Sequence, residues 1–165
     1  TNNAAVNYTV NVATYNQIAV GGVVGYAKIA INDLENNGSV YSTISVKGLI
    51  SKNLYLGGVT GLVENNVSAS TNNGRVLFQT VNDGSDATLH YWTCIGGIVG
   101  HVIKSKEITI DGCTNNGFVG YDAAAKGNGR ASAIGGIAGL VNAGINTIKN
   151  CINNGFIFNN NFKIS

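Results

Sequence analysis

Apolar residues along this chain come in short alternating runs. Val6, Tyr8, Val10 and Val12 fall on alternate positions, and the stretch from Val40 to Val46 and Ile108-Thr109-Ile110 alternate likewise. A period of two places alternate side chains on one face of a strand. The runs are about five residues long, and glycine and asparagine stand at their ends, as expected of strand punctuation. Nothing longer than the Ala123-Ala124-Ala125 run, enough for one helical turn, reads as helix. The pattern predicts an all-β chain.

The runs repeat. An apolar residue followed by a Gly-Gly pair occurs at Gly21-Gly22, Gly57-Gly58, Gly96-Gly97 and Gly135-Gly136, a spacing of 36, 39 and 39 residues. A β-branched residue and a third glycine follow each pair: Val23 and Gly25, Val59 and Gly61, Ile98 and Gly100, Ile137 and Gly139. Each copy then carries Asn-Asn-Gly: Asn36-Asn37-Gly38, Asn72-Asn73-Gly74, Asn115-Asn116-Gly117 and Asn153-Asn154-Gly155. Asparagine and glycine tolerate left-handed backbone angles, so Asn37-Gly38, Asn73-Gly74, Asn116-Gly117 and Asn154-Gly155 are expected to be turns. The third glycine lets another backbone come close. Each unit offers about three short strands and buries its apolar face only by stacking on its neighbours.

The expected fold is therefore a β-solenoid, a right-handed parallel β-helix of four repeats of about 36–39 residues. It forms a single domain over residues 1–165. An N-terminal cap strand spans 1–17, the repeats span 18–53, 54–92, 93–131 and 132–158, and a tail spans 159–165. One coil or two per repeat, and a hairpin-based antiparallel repeat, remain as alternatives. The polar insertions at 83–86, 104–107 and 126–130 read as corner loops.

Composition narrows the class. The 165 residues include 25 Asn and 23 Gly, no Pro and no Met; 11% are charged and the net charge is +2. That charge is no footprint for nucleic acid, and no apolar run approaches the ~18 residues of a membrane span. A chain without Met at position 1 and without a basic, then apolar, leader reads as the product of a cleavage or as a segment. Cys94, Cys113 and Cys151 are odd in number and lack zinc spacing, so they are expected to be free, buried thiols. Stacking makes Cys113 and Cys151 neighbours, with Cβ vectors poorly placed for a disulfide.

The run from Ile95-Gly96-Gly97-Ile98-Val99-Gly100 to Gly112-Cys113-Thr114-Asn115-Asn116-Gly117-Phe118-Val119 resembles the GLUG-motif repeat family. The copy from Ile134 to Ile157, with Ile148-Lys149-Asn150-Cys151, matches it nearly as well. The copies starting at Val20 and Leu56 carry Leu34 and Ser70 in place of the cysteine. The resemblance implies a module of a secreted or surface-attached microbial protein, adhesive or stalk-like, without catalytic residues.

Candidate chemistry is sparse. His90 and His101 stand near no nucleophile motif, and Tyr26, Leu62 and Leu140 replace His101 in the other copies. The eight carboxylates (Asp33, Glu35, Glu64, Asp83, Asp86, Glu107, Asp111 and Asp122) include no pair suited to acid–base work. Asn82 to Asp86 lacks the ligand spacing and closing Glu of an EF-hand. No enzyme activity, cofactor or metal is expected. Trp92 is the candidate for stacking on a sugar or protein ligand. The uncapped apolar end, with Phe156-Ile157-Phe158, Phe162 and Ile164, points to protein partners: self-association, in the extreme a head-to-tail filament, or further repeats. Glycans are the alternative partner. The overall expectation is a non-enzymatic structural or adhesive module of an extracellular or cell-surface protein, against a carbohydrate-binding or carbohydrate-processing β-helix.

Overall fold

In the computed structural model, residues 1–10, 17–44, 50–80, 89–103, 107–123, 130–142, 144 and 146–159 are described. These residues form 21 strands and no helix. Every strand pair is parallel, and the strands make five sheets. The architecture is a β-solenoid with one coil per repeat and five strands per coil. The third coil runs Leu89–Gly96, Val99–Val102, Thr109–Asp111, Thr114–Asn115 and Val119–Ala123. In each sheet the coils follow one another in chain order.

The register aligns the sequence landmarks. Gly21, Gly57, Gly96 and Gly135 are successive partners in the first sheet. Asn36, Asn72, Asn115 and Asn153 are successive partners in the fourth. Each coil has five strands rather than three because two of them are only two or three residues long, as at Glu35–Asn36 and Ile31–Asn32. Strands that short carry no readable period.

The expected N-terminal cap strand is more than a cover. Val6–Val10 pairs with Val40–Ile44 as the fifth strand of a preceding turn, and Asn2 bridges Asn36. Asn2-Asn3-Ala4-Ala5-Val6 thus occupies the place of Asn36-Asn37-Gly38-Ser39-Val40, with Ala4 in the glycine's position. Residues 11–16, which include Val12, lie outside the described set, as do the expected loops 83–86, 104–106 and 126–129, residues 124–125 of the Ala run, and the tail 160–165.

Two corners differ from expectation. The Asn-Asn-Gly glycines do not adopt positive φ. The left-handed residues among those described are Asp33, Ala69, Gly112 and Asn150, with φ of 57°, 46°, 62° and 53°. These four are equivalent positions of successive coils, just before Leu34, Ser70, Cys113 and Cys151. The glycine of Asn-Asn-Gly is needed for another reason. A Cβ on Gly38, Gly74, Gly117 or Gly155 would press on the carbonyl oxygen of the same corner one coil earlier, well inside 3.0 Å.

Apolar side chains fill three buried clusters. One lies between the first and fifth sheets and holds Leu54, Leu56, Phe78, Ile95, Val119 and Tyr121. A second, bounded by the second and third sheets, holds Val63, Val67, Ile98, Val102, Ile110 and Cys113. The third lies on the opposite faces of the first and second sheets, around Tyr55, Leu62 and Cys94. The first strand is therefore covered on both faces, which explains its near-continuous apolar sequence at Leu54-Tyr55-Leu56 and Cys94-Ile95. The third glycine of each unit permits this layering. A Cβ on Gly100 would lie 2.6 Å from the backbone nitrogen of Leu56 one coil earlier, and on Gly139 the same distance from that of Ile95.

Candidate functional site

The two sequence landmarks of each repeat meet at one place. The second glycine of the doublet lies flat against the first asparagine of the Asn-Asn pair. A Cβ on Gly22, Gly58, Gly97 or Gly136 would overlap the side-chain amide of Asn36, Asn72, Asn115 or Asn153. The first glycine of the doublet serves the bend itself, since a Cβ on Gly21, Gly57, Gly96 or Gly135 would strike the carbonyl of the residue three positions on.

The inner asparagines form a ladder. Asn2 Nδ2 donates to Asn36 Oδ1 at 2.9 Å, Asn36 to Asn72 and Asn72 to Asn115 at 2.8 Å, and Asn115 to Asn153 at 2.7 Å. The second hydrogen of each amide goes to the carbonyl of the corner glycine: Asn36 to Gly38, Asn72 to Gly74, Asn115 to Gly117, Asn153 to Gly155. Asn36, Asn72 and Asn115 are fully buried. Burial of a primary amide is tolerated here because donors and acceptor are satisfied at once.

The outer asparagines form a second ladder on the surface. Asn37 donates to Asn3, Asn73 to Asn37, Asn116 to Asn73 and Asn154 to Asn116, at 2.7–2.9 Å. The inner ladder donates towards the later coil and the outer towards the earlier one, so the two rows of amide dipoles oppose each other. Stacking of equivalent residues predicts asparagine ladders at the corners, but the repeat pattern assigns the turn to the outer asparagine of each pair. The structure gives the buried ladder to the inner one, whose signal is its presence in all four copies.

Cys94, Cys113 and Cys151 are all free. Burial pushes the Cys94 thiol up to about 12 and that of Cys113 up to about 11. Both are therefore protonated at neutral pH and poor nucleophiles. The Cys113 and Cys151 thiols point at carbonyls, of Asp111 at 3.5 Å and Lys149 at 3.2 Å.

His101 is buried, and its ring lies 4.5 Å from that of Tyr55. Neither Nδ1 nor Nε2 has a hydrogen-bond partner of good geometry. Burial pushes its pKa down, with Asn142 pulling weakly the other way. It is a neutral ring in the third cluster, with Leu62 and Leu140 as its strand partners.

Trp92 lies in the first strand of the third coil, its backbone paired with Asn53 and Arg130. Its side chain is outside the described set, as are the side chains of His90 and Tyr91 and all of residues 82–86. Outward aromatics appear elsewhere. Phe118 stacks on Phe156 at 6.1 Å, lies 6.3 Å from Phe158, and receives the Arg75 guanidinium 5.1 Å from its ring centre. Gly120 leaves room for the Phe118 ring, which a Cβ there would strike. Arg75, Phe118 and Phe156 directly follow Asn-Asn-Gly in successive copies, a position with no recurring residue type.

Among the described residues the acidic groups do not converge. Asp111 accepts from Asn150 at 2.9 Å and pairs with Lys149 at 3.4 Å, contacts that hold its carboxyl below the usual range, with Asn150 the larger cause. Among the described residues no three of His, Cys, Asp and Glu are grouped as metal ligands, and no helix is long and apolar enough to cross a membrane. Scans against family models, curated proteins and solved structures return no match to this chain.

Proposed function

We propose that this protein is a non-enzymatic structural or adhesive module that works outside the cell, secreted or at the cell surface. The observation that carries the reading is the paired asparagine ladder. It dedicates the most regular polar residues of every coil to holding the next coil, and it leaves a stiff stack whose corners present repeated chemistry at ~4.8 Å intervals. Free thiols suit an oxidising compartment when they are buried and protonated, as Cys94 and Cys113 are. The similarity of Ile95–Val119 to GLUG-motif repeats points the same way. Antibody labelling of intact source cells tests the location. Labelling before permeabilisation is expected, and labelling only afterwards contradicts it.

A second reading is favoured by one observation, the outward row of Phe118, Phe156 and Phe158 beside Arg75. Rings that reach the surface stack on sugar faces, so this row suits a glycan-binding stack; Trp92 is the candidate that the sequence alone offers. Glycan arrays and polysaccharide depletion separate the two. The structural reading expects no saturable sugar binding. Binding abolished by Trp92→Ala, or by Phe156→Ala, supports the glycan reading instead.

A further inference from the structure

We propose that the two edges of the stack differ in what they accept: the edge at Asn153-Asn154-Gly155 takes one more parallel coil that carries glycine at its corner, and the edge at Ala4 refuses such a coil. The occupant of the first edge is thus a strand segment with an Asn-Asn-Gly corner. This rests on the coil-to-coil contact itself, and it stands whether or not the module is adhesive.

The first edge continues an interface seen four times inside the molecule, counting the one between the N-terminal turn and the first coil. Asn115 holds the last coil with its carbonyl, which accepts from Asn154 N at 2.8 Å, and with its side-chain amide, which donates to Asn153. On the edge, the Asn153 carbonyl and amide occupy those same places. The core positions there also match those covered elsewhere. Ile157 is 40% exposed where its partner Val119 is fully buried, and Ile148 is 47% exposed where Ile110 is 1% exposed. A further coil would cover both and extend the parallel sheets by strand addition.

Glycine sets the selectivity. A Cβ on Gly155 would run into the carbonyl of Gly117, on Gly117 into that of Gly74, and on Gly74 into that of Gly38. Each such Cβ therefore points towards the preceding coil. A newcomer at the first edge meets the Gly155 carbonyl in the same way and must lack a Cβ there. Ala4 has one. Its carbonyl accepts from Asn2 Nδ2 at 2.7 Å, as the corner glycines accept from their asparagines, so the backbone is in the same place and the methyl projects from the opposite edge. A coil laid on that edge in the same register collides with the methyl. The same collision prevents the Ala4 edge of a second copy from stacking on Gly155, which argues against head-to-tail growth in register.

The test uses the unmodified protein and two labelled peptides with the sequence of residues 67–79, one native and one carrying Gly74→Ala. Anisotropy titration is expected to show saturable binding of the native peptide and at least ~10-fold weaker binding of the alanine peptide. Amide shifts in nuclear magnetic resonance are expected at Asn153, Asn154 and Gly155 and not at Asn2 to Ala4. No binding, equal binding of both peptides, or shifts at the Ala4 edge would overturn the proposal. So would head-to-tail fibres of the unmodified chain with Ala4 seated on Gly155.

Discussion

Asn72 and Asn73 are adjacent, carry the same side chain and do different work. Asn72 is buried and bonded to Asn36, Asn115 and Gly74; Asn73 is exposed and bonded to its ladder neighbours in water. Asn72→Ala leaves a buried donor on Asn36 and the Gly74 carbonyl without partners, and takes from the Asn115 oxygen one of its two donors, the other being the Gly117 N–H at 3.3 Å. The expected loss is about 3 kcal/mol, and under ~1 kcal/mol for Asn73→Ala, measured by urea denaturation. Ala69 presents the opposite opportunity. It holds a φ of 46° where the next coil has Gly112. Ala69→Gly is expected to stabilise by roughly 0.5–1 kcal/mol, relief of left-handed strain exceeding the added entropy of the unfolded chain. His101 is the residue at odds with its surroundings. Its pKa is lowered by burial, so between that lowered value and the ordinary ~6.5 the unfolded chain binds a proton that the folded one does not. Stability is full above that window and falls as pH drops through it. His101→Leu, which matches Leu62 and Leu140, is expected to flatten this dependence and to raise stability at neutral pH by about 1 kcal/mol. Urea midpoints at pH 7.5 and 5 check both. The lowered carboxyl of Asp111 acts separately, below the ordinary value of 3.8.

At the scale of the strand and the turn, the glycine doublet sets the geometry. Gly58 lies between the Gly97 carbonyl and the Asn72 amide, both backbone or buried and neither free to yield. Gly58→Ala is expected to cost at least ~4 kcal/mol or to prevent folding, whereas Gly112→Ala meets open space and pays only for its φ of 62°. Circular dichroism and melting curves of the two variants distinguish these outcomes. The doublets and Asn-Asn-Gly were legible because repetition exposes any position that tolerates one residue type. Their mechanism was only half legible. Glycine signals both positive φ and close approach, and a single sequence does not separate the two; here Gly74 serves approach, while Ala69 and Asp33 carry the turn. Pairs such as Thr71–Asn72 were invisible as strands because two residues hold no period. The aromatic row at Phe118 and Phe156 was invisible because Ser39 and Arg75 fill the same position in earlier coils, so no residue type recurs.

For the whole molecule, the stack from Asn2 to Asn153 has five rungs, a rise of ~19 Å. Each rung joins residues 34 to 43 positions apart in sequence, so the fold is held almost wholly by contacts between coils. The N-terminal segment belongs to this order as a partial coil; the alternation of Val6, Tyr8 and Val10 predicts its strand, and the place of Asn2 in the ladder emerges only from the structure. One measurement tests the stacking most directly: nuclear Overhauser contacts in the uniformly labelled protein at the inner asparagines. The account predicts contacts linking Asn36 to Asn72, Asn72 to Asn115 and Asn115 to Asn153, with none that skip a rung. Antiparallel contacts within one repeat, such as Val40–Ile44 against Ile50–Gly57, in place of those links would contradict it.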